Sequence, residues 1–211
     1  MAENQGRLRS ITFPSRGTSP VQLEGLIHLV DGDGPCPVAA ICHPHPLGGG
    51  SMHNGVVRAI ARALANRGVL ALRFNFRGVG RSGGEHDNGQ AEQADVAGAL
   101  DWLLNQSVAD PGRVAVVGYS FGAWVGLSHA QVDQRVTATA AVGLVAWHGE
   151  TSLSGTSALA GLGRFEPYFM SSFDRPKLFV TGEYDAFASP RAIHVSVERV
   201  PRHKVVVGLG G

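Results

Sequence analysis

Two hydrophobic rhythms alternate along the chain. Short apolar runs rich in β-branched residues give way to stretches whose apolar positions recur every three to four residues. These are the periods of buried strands and amphipathic helices. Residues 9–13 and 21–30 read as opening strands, joined into a hairpin through Gly17-Thr18-Ser19-Pro20. Val38-Ala39-Ala40-Ile41-Cys42 reads as a buried strand. Over 52–66, Val56, Ile60 and Leu64 form one helical stripe, which Gly68 stops. Strand, helix, strand and helix follow over 69–76, 90–105, 113–119 and 121–131. Val96, Leu100, Leu103 and Leu104 are the inward stripe of the 90–105 helix. Further strands are expected over 136–145, 177–181 and 204–207, and a helix over 190–200. Residues 148–173 alone lose the alternation, being Ser- and Gly-rich and then aromatic.

This order specifies an α/β class, a mostly parallel sheet with helices on both faces and an antiparallel N-terminal hairpin. The chain shows no internal repeat, and its 211 residues read as one domain spanning 1–211. In such sheets ligands and chemistry collect beyond the carboxyl ends of the strands. The residues at those ends are therefore the ones to weigh.

After Val114-Ala115-Val116-Val117 comes Gly118-Tyr119-Ser120-Phe121-Gly122, then a helix. A G-x-S-x-G sequence between strand and helix is the pattern of a nucleophile elbow. The tight turn lifts the serine hydroxyl above the sheet, and the glycines let strand and helix approach. The helix N-terminus presents free N–H groups to developing negative charge. Ser120 is the expected nucleophile and the Phe121 N–H one oxyanion donor. A bland alternative is a glycine-rich turn in which Ser120 merely caps the helix.

His43-Pro44-His45-Pro46-Leu47-Gly48-Gly49-Gly50 follows the strand at 38–42, where a second oxyanion donor belongs. Leu47, the first residue past the prolines, is the expected donor. Metal binding by His43, His45 and His53 is a weak alternative, and no metal is expected. For His43 and His53 the plainer reading is hydrogen bonding to backbone that shapes the loop. Gly78-Val79-Gly80-Arg81-Ser82-Gly83 matches a dinucleotide fingerprint literally, but loop rather than helix follows it. It reads as a rigid turn at the rim of the site. Asp185, in Gly182-Glu183-Tyr184-Asp185 after the 177–181 strand, is the expected acid that orients a histidine, with Glu183 in reserve.

Taken in order, the His43–Gly49, Asn75–Gly83, Gly118–Gly122 and Gly182–Asp185 segments resemble the α/β-hydrolase superfamily, in particular its small single-domain members related to dienelactone hydrolases. The resemblance implies a Ser–His–Asp hydrolase of the α/β-hydrolase fold that needs no cofactor. It implies cleavage of small-molecule carboxylic esters, lactones or thioesters through an acyl-enzyme on Ser120. A peptidase uses the same constellation.

In that superfamily the histidine base follows the last strand. Here Lys204-Val205-Val206-Val207 leads into Gly208-Leu209-Gly210-Gly211, where the sequence stops without one. His203 precedes that strand, at its opposite end. His194 and His129 lie in or at the end of helices away from the catalytic edge. His45, His86 and His148 follow strands at the active face, but none matches the family position. The expectation is a chain truncated just short of its base. The alternative is an inactive binding protein on the same fold.

The 148–173 segment falls where related hydrolases insert a small lid. Phe165, Tyr168, Phe169, Met170 and Phe173 are candidates for an acyl pocket, and Trp147 and His45 candidates to line the substrate site. The net charge of +1 offers no basic surplus for nucleic acid or an anionic membrane. The two cysteines, Cys36 and Cys42, give no disulfide framework. The polar N-terminus and the lack of a long apolar run point to a cytoplasmic protein. The pattern is silent on oligomeric state.

Overall fold

The computed structural model describes residues 8–32, 34–144, 173–185, 189–198, 200 and 204–209. Eight strands form one sheet: β1 (Leu8–Pro14), β2 (Gln22–His28), β3 (Cys36–Cys42), β4 (Leu70–Phe74), β5 (Ala109–Tyr119), β6 (Ala138–Val142), β7 (Lys177–Gly182) and β8 (Lys204–Leu209). Their spatial order is β1-β2-β4-β3-β5-β6-β7-β8. β1 and β2 pair antiparallel, as do β2 and β4. Every pair from β4 through β8 is parallel. The expected hairpin and parallel sheet are both present.

Side-chain alternation divides the core between two faces. On one face α1 (Gly55–Ala65) sets Val57 and Ala61 against Ile41, Ala71 and Val117. The other face carries α2 (Glu92–Leu104), α3 (Phe121–Val132) and α4 (Pro190–Val197). There Leu100, Val125 and Ile193 pack with Val38, Leu72 and Phe74. Each such Leu, Ile or Phe contributes about 1.5–3 kcal/mol by leaving water. The central strands are apolar on both sides because both sides are covered.

Several boundaries differ from the periodicity by one to four residues, two of them for a clear local reason. The helix expected from residue 52 begins at Gly55, because Asn54 caps it by accepting the Val56 N–H at 2.9 Å. Met52, counted as helical, instead gives its N–H to Asn75 Oδ1 at 2.7 Å. β5 starts at Ala109, ahead of the expected 113, and carries Pro111 and Gly112 within it. The pairing slips there, from Cys36↔Ala109 to Val38↔Val114, so the proline sits in a bulge and costs the ladder no hydrogen bond.

Two cations close the helix ends on the lower edge. Arg175 donates to the carbonyl of Ala130 in the last turn of α3 and to those of Asp133 and Val136 beyond it. Lys204 Nζ donates to the carbonyl of Val197 at the end of α4 and to those of Glu198 and Val200 beyond it. Carbonyls that no helical N–H can reach are thereby satisfied. Phe173, weighed as a pocket residue, is buried in the core with the Arg175 guanidinium 4.2 Å above its ring. The rest of the expected lid, with Trp147 and His148, lies outside the described residues. Among the described residues no helix is long and apolar enough to cross a membrane.

Candidate active site

Ser120 sits between β5 and α3 with φ +54° and ψ −118°. That backbone is disfavoured for any residue with a Cβ and costs on the order of 1–3 kcal/mol. The surroundings impose it. The Ser120 N–H is tied to Val142 O at the end of β6, at 2.8 Å, while its carbonyl receives the Ala123 N–H at 2.9 Å. A Cβ on Gly118 would lie 2.1 Å from the Gly122 oxygen, and one on Gly122 would lie 2.5 Å from the Cys42 and His43 oxygens. Only glycine lets α3 start this close to β5 and β3. Phe121 opens the helix, so its N–H has no intrahelical acceptor.

The loop after β3 holds two histidines in different roles. His43 is fully buried, with Nδ1 2.6 Å from Pro44 O and Nε2 3.1 Å from the Phe76 N–H. These partners assign the proton to Nδ1 and the lone pair to Nε2. Both nitrogens are engaged, so His43 shapes the loop as expected and has no lone pair left for a metal. Burial pushes its pKa down to about 4, with the Pro44 carbonyl opposing and His45 and His86 adding to the shift. His28 is pushed to about 4 by burial and by Arg73 and Arg62.

A histidine that resists protonation when folded stabilises the fold fully above the unfolded value. That stability is lost as pH falls from 6.5 through 4. For a buried ring this is on the order of 3 kcal/mol. The melting temperature is accordingly expected to fall steeply between pH 6.5 and 4. His43→Gln, which does not titrate, should show a shallower slope in thermal melts across that range. Equal slopes in the two proteins would contradict the assignment.

Pro46–Gly48 forms one 3-10 turn capped by His45, whose Nδ1 accepts the Leu47 N–H at 3.2 Å. Gly48 and Gly50 donate to His45 O, and Gly49 to Pro46 O. The glycine N–H groups are thus committed to backbone carbonyls. Leu47's, the expected oxyanion donor, is held instead by the His45 side chain. The Leu47 side chain is 75% exposed at the rim. His53 is exposed, and its N–H donates to Ser51 Oγ.

A buried polar frame braces this loop. Asn75 takes the Met52 N–H and donates to Glu24 Oε1 at 2.8 Å. Glu24 also receives the Arg81 N–H at 2.8 Å and Arg81 Nε at 2.9 Å. Burial pushes the Glu24 carboxyl up, but these hydrogen bonds outweigh it and hold it low. Ser82 Oγ donates to Asn75 O and accepts the Glu24 N–H. The Gly78–Gly83 segment is therefore the rigid turn expected, not the start of a nucleotide-binding helix. Arg77 grips the fully buried carboxylate of Asp95, with Nη2 2.7 Å from Oδ1.

Asp185 ends the β7 turn, with its N–H on Gly182 O at 3.2 Å. Its Oδ2 lies 3.7 Å from where a Cβ on Gly143, just beyond β6, would stand. The Ser120 N–H is bonded to Val142 O, so Ser120 and Asp185 flank the end of the same strand. Two strand spacings separate β5 from β7, roughly 10 Å. Glu183 is exposed and gives its N–H to Leu209 O. Trp147 and Phe169 lie outside the described residues. His45 rests on Phe121, with ring centroids 4.9 Å apart.

One pair escaped the sequence reading. His86 Nδ1 lies 2.7 Å from Glu92 Oε1, and the Glu92 side chain is fully buried. Glu92 also accepts the N–H groups of Asp87 and Gly89, both at 2.9 Å. Its signal in the sequence was an acid at the start of a helix, separated by two residues from Asn88-Gly89.

The sheet order, the serine with left-handed φ at a strand–helix turn and the acid two strands away define an α/β-hydrolase. Within that superfamily the chain belongs to the X-Pro dipeptidyl-peptidase (S15) family, which its residues 23–168 match. Among solved structures it is similar to an α/β serine hydrolase homologue from Coxiella burnetii, with 31% identity, TM-score 0.75, and coverage of 95% of this chain and 87% of the other. It is also similar to XC6422 from Xanthomonas campestris, an α/β serine hydrolase without a lid, at 30% identity and TM-score 0.71 over 96% of this chain and 84% of that one. RP471 from Rickettsia prowazekii is 45% identical over 91 residues, 43% of this chain and 38% of that protein. The chain spans less than half the length of such curated relatives, 46% for Rv2307c of Mycobacterium tuberculosis. These likenesses place it among the α/β serine hydrolases and carry the superfamily, rather than the narrower likeness to dienelactone hydrolases.

Proposed function

We propose that the protein cleaves small carboxylic esters through an acyl-enzyme on Ser120. The observation that carries this reading is the Ser120 backbone at φ +54°, held at the N-terminus of α3 by two glycines that admit no Cβ. Ser120 Oγ attacks the ester carbonyl carbon and gives its proton to a histidine base. The tetrahedral oxyanion is received by the N–H groups of Phe121 and Leu47. The alcohol leaves with the proton returned by the base, and water then releases the acid by the same steps. Asp185 orients the base; in the resembled family that histidine follows the last strand. No step calls for a cofactor or metal.

A second reading, peptide cleavage, is favoured by the S15 match and by 32% identity over 102 residues to dipeptidyl aminopeptidase BIII of Pseudoxanthomonas mexicana. Thioesters are a third acyl class, since thiohydrolase apmlB of Arthrinium phaeospermum is 37% identical over 86 residues. The full-length protein should be assayed on p-nitrophenyl acetate, an acetyl thioester and an alanyl-prolyl p-nitroanilide. The ester reading expects the highest kcat/KM on the oxygen ester. A higher value on the anilide would replace it with the peptidase reading.

A further inference from the structure

Among the described residues, His45 and His86 each bury a ring nitrogen that has no hydrogen-bond partner, Nε2 in both. Buried polar atoms are rarely left so, and each asks for a physical reason. The partners on the other nitrogens fix their character. His45 Nδ1 accepts the Leu47 N–H, so in the neutral ring Nε2 carries the proton. His86 Nδ1 faces the Glu92 carboxylate and donates to it, so its Nε2 is a lone pair. One orphan is a donor and the other an acceptor.

The two rings are neighbours, with centroids 5.0 Å apart, and both lie on Phe121, at 4.9 and 5.4 Å. That spacing is compatible with two imidazoles joined by one N–H···N bond of about 3 Å. Turning His45 toward His86 would satisfy both orphans at once. The same turn withdraws Nδ1 from the Leu47 N–H and releases it.

We infer that His86, backed by Glu92, is a positioning residue that accepts the His45 Nε2–H and so frees the Leu47 N–H for the oxyanion. The loop then has two arrangements. In one, His45 holds the Leu47 N–H and two imidazole nitrogens are unpaired. In the other, His45 pairs with His86 and the donor is available to the reacting carbonyl. No proton is transferred between the rings, and Glu92 fixes His86 in the tautomer whose Nε2 can accept. The inference rests on the ester-cleaving reading only for its kinetic consequence.

His86→Phe keeps a ring against Phe121 and His45 but cannot accept. On p-nitrophenyl acetate, the full-length variant is expected to lose about 10- to 100-fold in kcat with KM within about twofold, as for a hindered oxyanion donor. Glu92→Gln should lose less, and the double variant should match His86→Phe alone, because the two residues act as one unit. An unchanged kcat in folded His86→Phe, or multiplying losses, overturns the inference. A fall to the Ser120→Ala level also overturns it, since His86 would then belong to the chemistry.

Amide exchange decides the point without turnover. The Leu47 N–H should exchange more slowly in His86→Phe, where His45 holds it permanently, whereas simple loosening would speed it. Equal or faster exchange refutes the inference. Should wild type hydrolyse no ester beyond Ser120→Ala, the ester reading fails and the exchange result still stands.

Discussion

Ser120→Ala is expected to lower turnover of p-nitrophenyl acetate by on the order of 10⁵- to 10⁶-fold. In the proposed reaction the hydroxyl is the nucleophile, and what survives its removal is the rate that binding and the oxyanion donors sustain alone. Stability should hardly move, within about 0.5 kcal/mol, because alanine inherits the same backbone at φ +54°. Ser120→Gly separates strain from chemistry. It should be as inactive as the alanine variant yet more stable, by about 1 kcal/mol, because glycine accepts that φ without a Cβ conflict. Paired kinetics and thermal melts check both halves. A glycine variant no more stable than the alanine one would mean the elbow stores no strain.

The second large effect falls on stability. Gly118→Ala places a methyl group 2.1 Å from the Gly122 oxygen, 2.3 Å from its carbonyl carbon and 2.4 Å from the Ala123 nitrogen. All three are backbone atoms in the first turn of α3, and none can rotate away. Relief requires shifting α3 off β5, which opens the packing of Ala123, Val125 and Leu127 in the core. We expect a loss of about 5 kcal/mol or failure to fold, read by urea denaturation. Gly55→Ala is the matched control. A Cβ there meets nothing within 4 Å, so the change should be neutral or slightly stabilising. Comparable losses at both positions would show that the close approach at Gly118 is not what requires glycine.

The faces of the elements were legible in the sequence because the period of apolar residues records which side is covered. Leu100 and Leu103 on α2 fall where that period puts them. On α1 the expected stripe of Val56, Ile60 and Leu64 is only partly covered. The fully buried positions are Val57 and Ala61, one residue further round the helix, because that side faces Ile41, Ala71 and Val117. Chain order also located Ser120 and Asp185 at the ends of β5 and β7. Partners across the fold were not legible. Asn75 meets Glu24 across 51 residues and Met52 across 23, and no local period encodes such a meeting. His86 and Glu92 are close in sequence, but their hydrogen bond depends on a loop bent back over the start of α2. The Leu47 N–H looked free because a sequence does not say where the side chain two residues earlier will point. The early start of β5 was not legible either, because the bulge that accommodates Pro111 depends on the pairing with β3 at Cys36 and Val38.

Ester cleavage as proposed requires Ser120 to be the nucleophile. A fluorophosphonate probe, reacted with the full-length protein and mapped by peptide mass spectrometry, tests that most directly. A single covalent adduct on Ser120 is expected, with labelling abolished in Ser120→Ala. An adduct elsewhere, or equal labelling of Ser120→Ala and wild type, would contradict it.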